Sequence, residues 1–277
     1  MNSTKNIIHF PLLLTVICLL TVLLFTGCQT SGIDTASLPD QSPVSAVEQI
    51  SQDDGQTSIE SVTEIYVEYS EVSERISIET NPAVLPDAAS PYWEILPDYQ
   101  VLILEGYPVT EHFLRPQIFV FPLSELVTFN EGAGQIASDL DELLKDEMVG
   151  EDLPFLPLYN AAQVMHAQVE FIKFKNGKGV RYLTQFDQAP IPLNNYELIY
   201  TFQGITADGQ YYVAAVFPIT HPDLPVDDKV SFEDEYTVEK FVADMAESIE
   251  TLENQPGDSF KPDLSVLDAV IQSIEIK

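Results

Sequence analysis

Histidine is the side chain best suited to moving a proton near neutral pH, and three, His112, His166 and His221, lie beyond the apolar N-terminal stretch. None has a second His or a Cys at metal-ligand spacing. His166 falls in a predicted strand, where a packed and hydrogen-bonded ring is the ordinary reading, and His221-Pro222-Asp223 reads as a turn. A Ser-His-Asp set can assemble from residues distant in sequence. The local signatures of known chemistries are missing, however: there is no G-x-S-x-G elbow, Walker A loop, G-x-G-x-x-G or H-E-x-x-H, and no D-x-D-x-D-G calcium loop. An acid–base carboxylate pair needs burial to raise one pKa, and among 44 acidic residues sequence cannot single it out. These residues predict no metal site and no cofactor.

Two clusters do stand out. Lys173, Lys175, Lys178 and Arg181 are four of only 12 basic residues, and they surround one predicted turn. They read either as a basic tip able to steer an acidic partner or lipid head, or as strand lysines that discourage edge-to-edge pairing. The second cluster is aromatic. Tyr196, Tyr200, Tyr211 and Tyr212, with Gln203 among them, straddle a second predicted turn. If one sheet face is core, tyrosines on the other can line a ligand groove; cross-strand packing is the alternative.

The N-terminus carries a different chemistry. A short start with Lys5 precedes an almost wholly apolar run from Ile7 to Phe25, and Leu24-Phe25-Thr26-Gly27-Cys28 follows. This is the pattern of a secretory signal. With a Cys directly after the small residue, it resembles the lipobox of bacterial lipoproteins, with Phe25 standing where Leu is usual. The resemblance implies that residues 1–27 are removed and that Cys28 is acylated, anchoring the protein to a membrane on the extracytoplasmic side. An uncleaved anchor is the alternative, since the run is long enough to span a bilayer. Cys18 and Cys28 are the only cysteines, so the mature chain is expected to lack a free thiol, a disulfide and a thiolate ligand. The formal charge is −32, and removing the leader takes away one Lys and no acid. Such a surface repels nucleic acid and anionic lipid.

Elements must position these groups. Residues 28–61 hold no aromatic side chain and are rich in Ser, Thr, Asp, Gln and Pro; such a segment buries too little apolar surface to offset its ordering entropy. It is expected to be a tether, with residues 62–277 as one domain. The stretch from Val164 to Pro218 organises that domain. Asn176-Gly177 and Asp208-Gly209 are expected at the centres of two hairpin turns, between flanks rich in Val, Ile, Phe, Tyr and Thr. Residues from Asp187 to Tyr196, with Pro190 and Pro192, cross between the hairpins. Shorter strands are predicted at Val62–Tyr69, Arg75–Glu79, Tyr99–Tyr107 and Arg115–Pro122. A helix capped by Asn130 is expected over Glu131–Lys145. An amphipathic helix runs through Val238, Phe241, Val242, Met245, Ile249 and Leu252, with Thr237 as cap. A last helix opens with Pro262 at its first position, and SIEI returns as a strand. Strands run together and helices follow them, which predicts an α+β fold: an antiparallel meander with two hairpins, packed by a few helices.

Several stretches together, PYWEILPDY, RPQIFVFP, LPFLPLYNAAQVMHAQV, GVRYLTQFDQAPIPLNNYELIYTFQG and LSVLDAVIQSIEI, resemble a group of bacterial exported proteins and lipoproteins of unassigned function. The resemblance covers most of residues 62–277 and supplies no active site. The order of strands, helix, long paired strands and late helix is also similar to the Mog1/PsbP-like fold, whose members are mostly non-catalytic accessory and binding modules. The expectation is a lipid-anchored envelope protein that binds a protein or small ligand without catalysis and binds no nucleic acid. The alternative is an extracytoplasmic hydrolase using carboxylates or a Ser/His pair.

Overall fold

The computed structural model describes residues 63–86, 90–227 and 238–277. The expected leader, the expected tether, Cys28 and Thr237 lie outside the described residues.

In chain order the elements are β1 (Ile65–Tyr66), β2 (Arg75–Asn81), β3 (Tyr99–Glu105), β4 (Gln117–Pro122), α1 (Leu123–Phe129), α2 (Glu131–Asp146), β5 (Ala162–Phe174), β6 (Gly177–Asp187), β7 (Ile199–Thr206), β8 (Tyr211–Pro218), α3 (Val238–Asn254), α4 (Leu264–Ser273) and β9 (Glu275–Ile276). Seven strands form one antiparallel sheet in the order β2-β3-β4-β8-β7-β6-β5. It consists of two meanders, β2–β4 and β5–β8, joined edge to edge where β4 pairs with β8. The fold is α+β, as the strand-rich pattern predicts. The C-terminal SIEI does return as a strand, and β9 pairs with β1 in a small second sheet.

Both faces of the large sheet are covered. In β8, Tyr212, Ala214 and Val216 face one core, built with α1, α2 and the 153–156 segment. Val213, Ala215 and Phe217 face the other, built with α4, the end of α3 and β9. A strand buried on both sides reads as a continuous apolar run, and YYVAAVFP is such a run. The expectation of one open face is therefore corrected.

The turns differ from the sequence reading in an instructive way. Phe174 pairs with Gly177, so the first hairpin turns on Lys175-Asn176 rather than on Asn176-Gly177. Gly177 lacks a positive φ. It is needed because a Cβ there would lie 2.1 Å from the Phe174 ring and 2.5 Å from the Ile205 carbonyl oxygen. The second hairpin uses the longer loop 207–210: Gly209 N–H donates to Thr206 O (2.8 Å), and Gly209 alone has positive φ, at 69°. That is a turn closed by a left-handed residue, which also suits a hairpin.

Asn130 caps α2 as expected, its Oδ1 accepting from Ala133 N (3.1 Å). Its Nδ2 donates to the carbonyls of Tyr92 (2.6 Å) and Ile95 (3.1 Å). The preceding helix α1 was not legible, being one short stretch between Pro122 and Asn130. The last helix begins at Leu264, so Pro262 stands before it rather than at its first position; Asp263 caps it, its side chain accepting from Ser265 N. Val242, expected on the inner stripe of α3, is 47% exposed.

Candidate functional site

The structure takes the aromatic cluster apart and removes Arg181 from the basic one, leaving Lys173, Lys175 and Lys178 together at the first hairpin with Lys173 paired across from Lys178. Arg181 is 3% exposed and does not belong to a basic tip. Its guanidinium donates to the Gln168 carbonyl and pairs with Asp268 and Glu170, each at 3.2 Å. Tyr200 donates to the same Asp268 oxygen (2.8 Å). Burial raises the pKa of Asp268, outweighing the pull of Arg181 and Tyr200 in the opposite direction. This knot ties α4 to the sheet. Gln168, at a bulge in β5 with φ of 55°, donates through its side-chain amide to the carbonyls of Leu252 (2.9 Å) and Gln255 (2.8 Å) at the end of α3. Lys173 and Lys175 are exposed. Lys178 donates to the Leu144 carbonyl (2.6 Å) at the C-terminus of α2, where a cation offsets the helix dipole.

The aromatic set does not form a groove. Tyr200 and Tyr212 are fully buried and belong to opposite cores. Tyr211 is half-buried, and Tyr196 lies in the crossing loop beside His112 and Phe113. Gln203, also fully buried, is a strut. It accepts from Leu156 N (2.9 Å) and Tyr212 Oη (2.7 Å) and donates to Leu156 O (3.0 Å). Its amide thereby satisfies both backbone groups of Leu156, as a neighbouring strand would.

The histidines are hydrogen-bonded into the fold. His112 contacts the Leu198 carbonyl (3.1 Å) and accepts from Leu114 N (3.0 Å). Burial lowers its pKa to about 4. His166 is half-buried, and desolvation lowers its pKa as well. His221 brings together a Ser and an Asp: Nε2 is 3.1 Å from Ser259 Oγ, and Nδ1 is 3.9 Å from Asp223 Oδ2. The hydrogen-bond polarity opposes catalysis. Asp223 N donates to Nδ1 (3.3 Å), which puts the ring proton on Nε2, and Ser259 Oγ donates to the Pro256 carbonyl (2.6 Å). A general base needs the reverse, with Nδ1 protonated toward the carboxylate and Nε2 accepting from the hydroxyl.

A large concavity lies elsewhere. α2 forms one wall, the segment 148–161 the other, and the ends of β5 and β6 contribute Gln163 and Phe186. It is an open cleft of about 630 Å³. Ile136, Leu143, Leu153, Phe155, Leu158 and Phe186 supply its apolar lining. Phe155, Tyr159 and Phe186 pack as a trio with centroid separations of 4.4 to 5.3 Å. Four carboxylates, Asp139, Glu142, Asp146 and Asp152, line the cleft, with no Lys, Arg or His. Met148 and Tyr92 flank it at 75% and 56% exposure. The segment is held by Gln203 through Leu156, by Tyr182 Oη donating to Pro154 O (2.8 Å), and by Gln163 accepting from Leu153 N (3.1 Å). Two of the residues expected to touch ligand, Gln203 and Tyr212, thus help position the cleft wall from beneath. Sequence displayed the acidic face of the helix and the LPFLPLY loop separately; nothing in it paired them.

No protein-family model, curated protein or solved structure matches the chain. Among the described residues no helix is long and apolar enough to cross a membrane.

Proposed function

We propose that the protein is a lipid-anchored, extracytoplasmic, non-catalytic binding or accessory protein of the bacterial envelope, and that its folded domain binds through the cleft between α2 and the 148–161 segment. The supporting observation is the contrast within the domain: both sheet faces are closed by packing, while this concavity leaves Ile136, Leu158, Tyr159 and Phe186 partly exposed over buried Leu143, Leu153 and Phe155. Binding pockets combine such a lining with a few placed polar groups. The anchoring part of the proposal rests on the apolar leader and on Cys28 following Gly27. The likeness to exported proteins of unassigned function, and to accessory modules of the Mog1/PsbP-like kind, belongs to the same reading.

Two measurements test it. Metabolic labelling with a fatty acid should mark the wild type and not Cys28→Ser, and the variant should be unprocessed or released from the membrane. Label absent from both would refute the anchor. A tagged wild-type protein recovered from its native membranes should carry a partner that Leu158→Glu loses; equal recovery would refute the cleft.

The hydrolase reading has one observation in its favour, the contact of Ser259 with His221. The tautomer set by Asp223 N speaks against it. Under the binding proposal, Ser259→Ala leaves every activity of the protein unchanged.

A further inference from the structure

We propose that the cleft takes a basic segment of a partner protein, in which Lys or Arg side chains flank an apolar anchor; this rests on the binding reading above and names its ligand class. The lining selects the anchor. Ile136, Leu158 and Phe186, each partly exposed, offer an apolar surface that water covers poorly. The carboxylates select the flanks. Asp139, Glu142 and Asp146 follow one another at helical spacing along a single stripe of α2, a row about 10 Å long at 1.5 Å rise per residue. Asp152 stands in the opposite wall.

The carboxylates are only weakly matched by cations: Lys145 senses Glu142 and Asp146, and His166 senses Asp152, without an ion-pair contact. The only Lys of α2, Lys145, pairs with Asp141, which is not among the lining residues. None of the four lining carboxylates takes part in an ion pair among the described residues. Nor do they converge on a point: among the described residues no three His, Cys, Asp or Glu side chains are grouped to hold a metal ion. A row of separated charges beside an apolar floor complements an elongated cationic segment better than a single ion. Residues 29–61 contain no Lys or Arg, so the stretch that precedes the domain does not supply the cation. The net charge of −32 steers such a molecule inward without specifying where it docks.

The test is fluorescence anisotropy of a short fluorescein-labelled peptide of Lys, Leu and Trp titrated with the full chain. The triple variant Asp139→Asn, Glu142→Gln, Asp146→Asn should bind about tenfold more weakly or worse. Glu71→Gln, Glu79→Gln, Glu111→Gln removes as many exposed charges elsewhere and should stay within about twofold of wild type. A peptide with Gln in place of every Lys should also bind about tenfold more weakly. Met148→Ser, at an exposed flanking position, removes apolar contact without adding charge or touching the core, and should weaken binding about threefold. Equal weakening by both triples would reduce the effect to general polyanion attraction and overturn the proposal. Undiminished binding of the Gln peptide, or displacement of the peptide by stoichiometric spermidine, would also overturn it. In either case, loss of a native partner by Leu158→Glu would leave the cleft itself standing as a binding site.

Discussion

Gly177 and Gly209 occupy similar places in two hairpins and are glycine for different reasons. Gly209 has positive φ and open space around its Cα hydrogen, so Gly209→Ala should cost about 1–2 kcal/mol, and Gly209→Asn should recover most of it because Asn tolerates the left-handed region. Gly177 has no such φ, but the Phe174 ring and the Ile205 carbonyl leave no room for a Cβ. Gly177→Ala should cost about 1–3 kcal/mol or more, and Asn should give no rescue. Denaturant unfolding of the four variants checks both statements. Sequence marked both glycines, but the hairpin signal assumes one cause, positive φ, whereas close approach depends on a ring and a neighbouring strand. His112 gives a pH-dependent effect. Burial holds its pKa down at about 4, against about 6.5 in an unfolded chain. Between those values the unfolded state binds the extra proton, so its contribution is full above pH about 6.5 and is lost as pH falls toward 4. His112→Gln should therefore flatten the stability profile across that window relative to wild type.

At the scale of elements, the strands were legible because β-branched and aromatic runs between turn residues leave little choice. The layering was harder to read. A meander with one open face and a sheet covered on both differ only in where distant helices pack, and α1 is too short to announce itself. The same gap explains the aromatic set: Tyr200 and Tyr212 were visible as strand tyrosines, but their burial depends on α4 and α1–α2. Gln203 shows what such a residue does instead. Gln203→Leu would leave the Leu156 N–H and C=O and the Tyr212 hydroxyl without this partner. It should cost about 1–3 kcal/mol, and amide exchange at Leu156 should accelerate. A variant as stable as wild type, with unchanged exchange, would show that the 148–161 segment is held without it.

For the whole molecule, the acidic excess hides its own meaning. With 44 carboxylates on the chain, the three on one stripe of α2 carry no distinguishing mark until the LPFLPLY loop is seen to face them. Charge alone sets solubility and long-range steering; only the apolar lining makes one acidic surface different from the others. Placing the photo-crosslinker p-benzoylphenylalanine at Met148, beside the cleft, and in parallel at Ile78, also solvent-facing on the edge strand β2, tests the central claim most directly. After irradiation of membranes from cells of the native organism, Met148 should give a discrete adduct that Leu158→Glu abolishes, while Ile78 gives none. Equal adducts from both positions, or an adduct from Ile78 alone, would contradict the assignment of the cleft as the binding site.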